Sequence, residues 1–395
     1  MMIKKEVNAI NLDTQELPKK ARGIQFCTNL RTAYEHAVMQ TSFCHALADA
    51  TNDEVEYKGV KFYLRYTASM TPEEIGSFAT ESEGRRAMFA DSFLDERDGK
   101  NWDANVQRAH RWALAGWYGK FSPELQKMAL EQIKVTGRYA NGPVLVKYSI
   151  DGTVKSGHWD TSSGNGALNI EITAQAIAGL SQALRPREVR GLAMGDDLLL
   201  WLYFDHPVDP RSYYQEINER EAKLGIHPVR GLFRDVLHVS FCSMGFYWTD
   251  RAQLVALPKV GRCFAKLFWT VTPLRNRCPA RLASTVAHAF LPAYHTYKPM
   301  RAFLKHHTAV APLEVDIRDQ MPYVLREHAL PRTTGVLWDE AHVVKYGLTP
   351  CSLDNMAEVL AACPVGIVSH PAVSRMLAED TCDPPERRGC LTANI

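Results

Sequence analysis

The sequence predicts an α+β fold of strands and helices. Three observations predict it. Residues 59–67, Gly-Val-Lys-Phe-Tyr-Leu-Arg-Tyr-Thr, alternate apolar and polar side chains with the period of a half-buried strand. Residues 191–204, Gly-Leu-Ala-Met-Gly-Asp-Asp-Leu-Leu-Leu-Trp-Leu-Tyr-Phe, read as two apolar strands around a tight acidic turn, a hairpin. Helical spacing recurs in Leu30, Ala33, Tyr34, Ala37 and Val38, and in Ala167, Leu168, Ile170, Ile172, Ala174, Ile177 and Leu180.

In chain order, the first 25 residues are charge-rich and weakly periodic, with Pro18 ahead of Lys19-Lys20-Ala21-Arg22. A helix is expected over 30–50 and a strand over 59–67. Thr71-Pro72-Glu73-Glu74 resembles a capped helix start, with Thr as N-cap, Pro at N1 and Glu at N3. Residues 87–95 form an apolar run, expected as a central strand ending in the charged turn Glu96-Arg97-Asp98-Gly99. A helix is expected from Ala104 to Tyr118, a glycine-rich loop over 152–166, and a long helix from Asn165 to Leu184. Another helix follows from Pro210 to Leu224, then a short strand from Val236 to Cys242. Beyond residue 270 the chain turns helix-rich, and the tail after Asp383 is expected to fray.

Composition bounds the class. A chain of 395 residues suggests two or three structural units, or one multi-lobed fold. With 46% hydrophobic and 23% charged residues it can bury a sizeable core. The net charge is only +2, from 46 basic and 44 acidic residues, so any basic surface must be local. The nine cysteines include no C-x-x-C pair and no zinc spacing, which implies free thiols in a reducing compartment. The start, Met-Met-Ile-Lys-Lys-Glu, has no signal-peptide core, and no stretch reaches the roughly 20 apolar residues of a membrane span. A soluble cytosolic protein is expected, one that reaches a membrane only through a partner or a further segment.

Four elements carry chemistry. Gly195-Asp196-Asp197 sets adjacent carboxylates at a hairpin turn, an anionic point suited to a hard divalent cation; the competing reading is a solvated turn. Asp98 ends an apolar strand five residues before Asp103; a charged turn is the alternative. Residues 156–165, Ser-Gly-His-Trp-Asp-Thr-Ser-Ser-Gly-Asn, precede an apolar helix. Their small residues allow close backbone approach, and Ser156, Thr161 and Asn165 offer groups that can read a ribose. Here the alternative is a surface loop with a helix cap. Lys4-Lys5-Glu6 and then Lys19-Lys20-Ala21-Arg22 offer cations for a triphosphate, or a solvated charge cluster.

In chain order these basic, Asp98, Ser156 and Asp196 elements resemble motifs F, A, B and C of viral RNA-dependent RNA polymerases. The form Ser-Gly-x-x-Asp-Thr-x-x-Gly-Asn is similar to that of tombusvirus-like and nodavirus-like positive-strand RNA viruses. Leu224-Gly225 resembles the end of the motif D helix, and Val239-Ser240-Phe241-Cys242-Ser243 resembles motif E. Pro258-Lys259-Val260-Gly261-Arg262 with Ala265-Lys266-Leu267 resembles the segment that opens the thumb. The resemblance covers residues 4–270.

It implies a right-hand fold with an antiparallel palm sheet: fingers over 1–93, palm over 94–118, a fingers insertion over 119–154, palm over 155–250 and a helical thumb over 251–395. It further implies two Mg2+ ions, replaceable by Mn2+, about 3.5–4 Å apart on Asp98, Asp196 and Asp197. Arg22 with Lys19 or Lys20 would bind the β- and γ-phosphates. Asp103 and Asn165, helped by Ser156 or Thr161, would recognise the ribose 2′-hydroxyl, and Gly157 would let its loop move. The implied partners are an RNA template, the nascent strand and ribonucleoside triphosphates, in the host cytoplasm or at membrane-associated replication sites.

The chain departs from the family in three places. Where motif D usually supplies a lysine, this chain has Ile226-His227-Pro228-Val229-Arg230. His227 is then the candidate general acid, since histidine exchanges protons near neutral pH; arginine is the weaker rival, and a surface histidine the plain alternative. Motif F begins almost at Met1, so part of the fingers is expected to come from an upstream segment or another viral replication protein. Residues after 275 match no family segment. Two other readings stay open: a reverse transcriptase-like polymerase, and an inactive RNA-binding replication scaffold. Against the first, Met194-Gly195 stands where reverse transcriptases usually show an aromatic-x pair.

Overall fold

The alternation and the apolar runs meet in one sheet. A computed structural model describes residues 2–3, 23–24, 30–99, 102–141, 143–154, 160–267, 278–308, 335–362 and 370–393. In chain order the elements are β1 (Met2–Ile3), β2 (Gly23–Ile24), α1 (Leu30–Ala50), β3 (Val55–Tyr57), β4 (Val60–Tyr66), α2 (Pro72–Arg85), β5 (Asp91–Asp98), α3 (Trp102–Asn105), α4 (Arg108–Phe121) and α5 (Pro123–Glu131). There follow β6 (Lys134–Asn141), β7 (Val144–Asp151), α6 (Thr161–Ala178), β8 (Glu188–Met194), β9 (Asp197–Phe204), α7 (Pro210–Lys223), β10 (Val229–Phe233), β11 (Ser240–Phe241), β12 (Met244–Trp248), β13 (Leu254–Pro258), α8 (Val260–Lys266), α9 (Pro279–Tyr294) and α10 (Lys298–Thr308). Helices Trp338–Tyr346, Pro350–Ala361 and Pro371–Thr381 complete the described chain. None of the described helices is long and apolar enough to cross a membrane.

Backbone contacts divide the chain into two units. One takes Met1–Ser69, Arg86–Leu232 and Ile395; the other takes Met70–Arg85 and Phe233–Asn394. The first unit is built on a six-stranded sheet of order β10-β5-β9-β8-β4-β3. Within it β5, α6, β8, β9, α7 and β10 form a split β-α-β-β-α-β arrangement. β9 is buried from Leu198 to Phe204, as its unbroken apolar run requires. β5, β8 and β9 pair antiparallel, as expected of the palm strands, but the whole sheet is mixed, because β4 runs parallel to β8. The long crossover of chain from β4 to β8 permits the parallel pairing that a tight turn forbids.

Several boundaries differ from the sequence reading. The charged stretch Glu96–Asp98 is strand, not turn, because Arg97 and the neighbouring Asp95 find buried partners of opposite charge. Helix α6 begins at Thr161 and ends at Ala178, so residues 161–166 are helix rather than loop. The small residues that mimic a loop serve close packing: a Cβ on Gly166 would lie 2.7 Å from the Tyr66 ring. The helix expected over 104–118 is two pieces, α3 and α4. The Val236–Cys242 strand shrinks to Ser240–Phe241.

The cap at Thr71 forms as expected: the Glu74 amide donates to Thr71 Oγ1 at 3.2 Å, and the Thr71 amide donates to Glu74 Oε2 at 2.6 Å. α7 ends in the Schellman geometry that Leu224-Gly225 suggests. Gly225 has φ +82°, its amide donates to Ala222 O at 2.9 Å, and the Ile226 amide donates to Glu221 O at 3.0 Å.

The second unit pairs a three-stranded sheet, β11-β12-β13, with helices. Gly76 of α2 lies against β13: a Cβ there would meet Leu254 O at 2.4 Å. Gly261 lets α8 approach the 371–381 helix, where a Cβ would meet the Met376 backbone at 2.4 Å. The tail does not fray as expected. Arg387 donates to Ser240 Oγ at 3.0 Å and Cys390 bridges Phe233, so both are tied to the sheet region.

Candidate active site

The acidic turn follows from the hairpin. β8 and β9 pair down to Met194 opposite Asp197, leaving Gly195 and Asp196 as the two central turn residues. Gly195 has φ +61°, the left-handed conformation a two-residue hairpin loop needs at its first central position. Gly195, Asp196 and Asp197 are all half-buried.

The end of β5 meets this turn. β5 pairs β9 with Arg97 opposite Leu198; the same register carried one residue further sets Asp98 opposite Asp197. Gly99 confirms the closeness from the other side: a Cβ there would lie 2.8 Å from Asp196 Cβ. Register and the Gly99 contact thus bring the backbones of three aspartates near one another where β5 ends and β9 begins, with Asp98 exposed. Like charges directly opposite one another on neighbouring strands destabilise a sheet. Among the described residues, however, no three His, Cys, Asp or Glu side chains are grouped closely enough to hold a metal ion. The three aspartates share a neighbourhood without forming a closed cage.

Beside them, α6 presents a polar stripe at four-residue spacing, Asn165, Asn169 and Thr173, all buried. Asn165 Nδ2 donates to Asp103 Oδ1 at 2.9 Å, joining two residues that the resemblance assigns to the same ribose. Because a carboxylate only accepts, this bond fixes the amide orientation and turns Asn165 Oδ1 away. That oxygen is buried and has no hydrogen-bond partner among the described residues. Thr161 is the first residue of α6, half-buried. Asp160 caps the helix position without capping its amides; its carboxylate instead accepts from Arg111 Nη1 at 2.8 Å, with both side chains almost fully buried.

Under the turn lies a buried polar network that the sequence reading missed. Asn169 Nδ2 donates to Gly195 O and to Asp196 O, each at 3.1 Å. Arg97 donates to Asn169 Oδ1, to Glu221 Oε1 and, at 2.6 Å, to Thr173 Oγ1. Glu221 also accepts from Arg230 Nη2 at 2.7 Å, and Arg230 donates to Asp95 at 2.8 Å and to Asn218 at 2.7 Å. Burial alone would lower the pKa of Arg230, but the Asp95 and Glu221 carboxylates outweigh it and hold the guanidinium above the ordinary arginine range. Arg230 is thus committed to the buried network through Asp95, Glu221 and Asn218. His227 itself is exposed on the segment after α7. One sequence signal pointed to this network: Tyr213, Ile217 and Glu221 recur every four residues, placing a glutamate on the buried stripe of α7.

Five candidate residues, Lys19, Lys20, Arg22, Ser156 and Gly157, lie outside the described residues, as do Lys4 and Lys5. The structure brings together Asp98, Asp196 and Asp197, and separately Asp103 with Asn165. Comparison of the chain with protein-family models and with curated proteins finds no match.

Proposed function

We propose that this chain is a viral RNA-dependent RNA polymerase that extends an RNA strand on an RNA template from ribonucleoside triphosphates, for genome replication and transcription in the host cytoplasm. The observation that carries the reading is the meeting of the β5 end with the β8–β9 turn, which gathers Asp98, Asp196 and Asp197. Their mutual repulsion favours a cation between them, and an oxygen-only donor set suits Mg2+, with Mn2+ as its substitute. Two such ions, when bound, supply activation of the primer 3′-hydroxyl and charge neutralisation at the transferring phosphoryl group.

The chain's own residues do the rest. Asp98, Asp196 and Asp197 are the ligands. Asp103 holds Asn165 so that Oδ1 is offered as an acceptor, and a ribose 2′-hydroxyl is a donor that satisfies it. A deoxyribose leaves that buried acceptor unpaired, a cost of about 1–3 kcal/mol. Ser156 and Thr161 assist at the sugar, and Gly157 gives the preceding loop its freedom. Lys19, Lys20 and Arg22 bind the triphosphate, and His227 protonates the leaving pyrophosphate.

The test is incorporation of labelled ribonucleotide on primed RNA. The wild type should extend with magnesium and stop with chelator, and Asp196→Ala should lose at least ~100-fold in rate with an unchanged melting temperature. Retained activity in Asp196→Ala overturns the metal-site assignment. RNA binding that ignores magnesium, with no incorporation, identifies a scaffold instead.

A further inference from the structure

The network beneath the acidic turn touches both segments that carry the candidate ligands. Asn169 reaches the turn through Gly195 O and Asp196 O, the carbonyls of its two central residues. Arg97 immediately precedes Asp98 and reaches Asn169 through Oδ1. The orientation of this amide is forced at both ends. A guanidinium only donates, so the atom facing Arg97 is oxygen; carbonyls only accept, so the atom facing the turn is the NH2 group. Both amide hydrogens are used, and Asn169 is fully buried.

Arg97 is held in turn by Glu221, which Arg230 shares, and Arg230 is held by Asp95 and Asn218. Two guanidinium groups and two carboxylates make this unit neutral, so it has no net charge to draw water into the core. A purely structural hairpin satisfies its central carbonyls with water at no cost; here an internal side chain is committed to both. We propose that Asn169 is a positioning residue for the acidic turn, held by Arg97, and that this one buried unit sets Asp196 and Asp197 against Asp98. The inference rests on the metal-site reading above.

Substitution separates positioning from stability. Asn169→Ala removes both donors to the turn. Asn169→Asp keeps an acceptor for Arg97 but aims an oxygen at two carbonyl oxygens, which pushes the turn away. Tyr346→Phe is the control: it removes a 3.1 Å hydrogen bond to Asp380 in the second unit, which should lower stability while leaving the hydrogen bonds of Asn169 in place.

The experiment titrates the full chain with Mn2+ alone by calorimetry, then measures kcat and nucleotide KM on primed RNA. Loss of a group that orients metal ligands costs about 10–100-fold in affinity. Asn169→Ala should therefore raise the half-saturating Mn2+ concentration about tenfold or more and lower kcat, with nucleotide KM little changed. Asn169→Asp should do at least as much, and Tyr346→Phe should match the wild type in Mn2+ binding. Wild-type Mn2+ affinity and kcat in folded Asn169→Ala, or in Asn169→Asp if the alanine variant does not fold, overturns the inference alone. A wild type indistinguishable from Asp196→Ala in Mn2+ binding overturns the metal site and this inference together.

Discussion

On the proposed function, Asn165 is the side chain that would discriminate between two substrates. Its amide is committed to Asp103, and its carbonyl is buried without a described partner. Asn165→Ala should lower discrimination against deoxynucleotides about tenfold while lowering the ribonucleotide rate less; competition between the two nucleotide classes on one primed RNA measures it, and unchanged discrimination removes Asn165 from sugar reading. Arg230 presents the opposite case, a charge spent on structure. Removing one partner of a buried ion pair strands the others, so Arg230→Ala should cost about 3–5 kcal/mol in urea unfolding. The contrast marks what the sequence made legible. Asp98, Asp103, Asn165, Asp196 and Asp197 stand at strand ends, a turn and a helix start, where polar residues invite a functional reading. Asn169, Arg97, Glu221 and Arg230 lie inside elements, and their partners come from up to 135 residues away, as for Arg230 and Asp95. Charge in a sequence reads as solvated surface until the fold supplies its counter-charge.

At the scale of elements, α6 shows how composition misleads. Ser162, Ser163, Gly164 and Gly166 suggest a loop, yet they form the first turns of a helix packed on its neighbours. Gly166→Ala weighs two effects. Helix propensity favours alanine by about 1 kcal/mol. The added Cβ would sit 2.7 Å from the ring of Tyr66, which is only 1% exposed and has no room to yield, at an overpacking cost of about 1–3 kcal/mol. The clash should win, and thermal unfolding of Gly166→Ala should show a lower midpoint; a higher one means that the ring moves aside. The hairpin was legible because its strands are apolar and its turn begins with glycine. β5 was legible in part only: its apolar half announced a strand, and its charged half gained its strand character from ion pairs no local pattern records.

At the scale of the molecule, the helix-rich character beyond residue 270 was legible, and the pairings of distant segments were not. The parallel β4–β8 contact and the docking of Arg387 and Cys390 join residues over 100 apart. The second unit also carries a titration. Burial pushes the His342 imidazole down to about 4, the Lys345 ammonium adds to that, and the hydrogen bond to Trp338 O opposes it. The ring stacks on Tyr297 at 4.8 Å between centroids. In the unfolded chain it takes up a proton near pH 6.5 that the folded chain refuses until about pH 4. Its stabilising effect is therefore full above pH 6.5 and is lost as pH falls through that window, by ~3 kcal/mol in all. Melting temperatures of the wild type and His342→Leu across pH 4–7 should converge toward acid, and parallel curves would show that His342 does not couple folding to protons.

The most direct test of the account uses four primed RNAs that differ only at the templating base, each offered one ribonucleotide at a time with magnesium. The wild type should add only the complementary nucleotide to each primer, and Asp98→Ala and Asp196→Ala should add none while remaining folded. Addition that ignores the templating base, or addition by either folded variant at the wild-type rate, would contradict it.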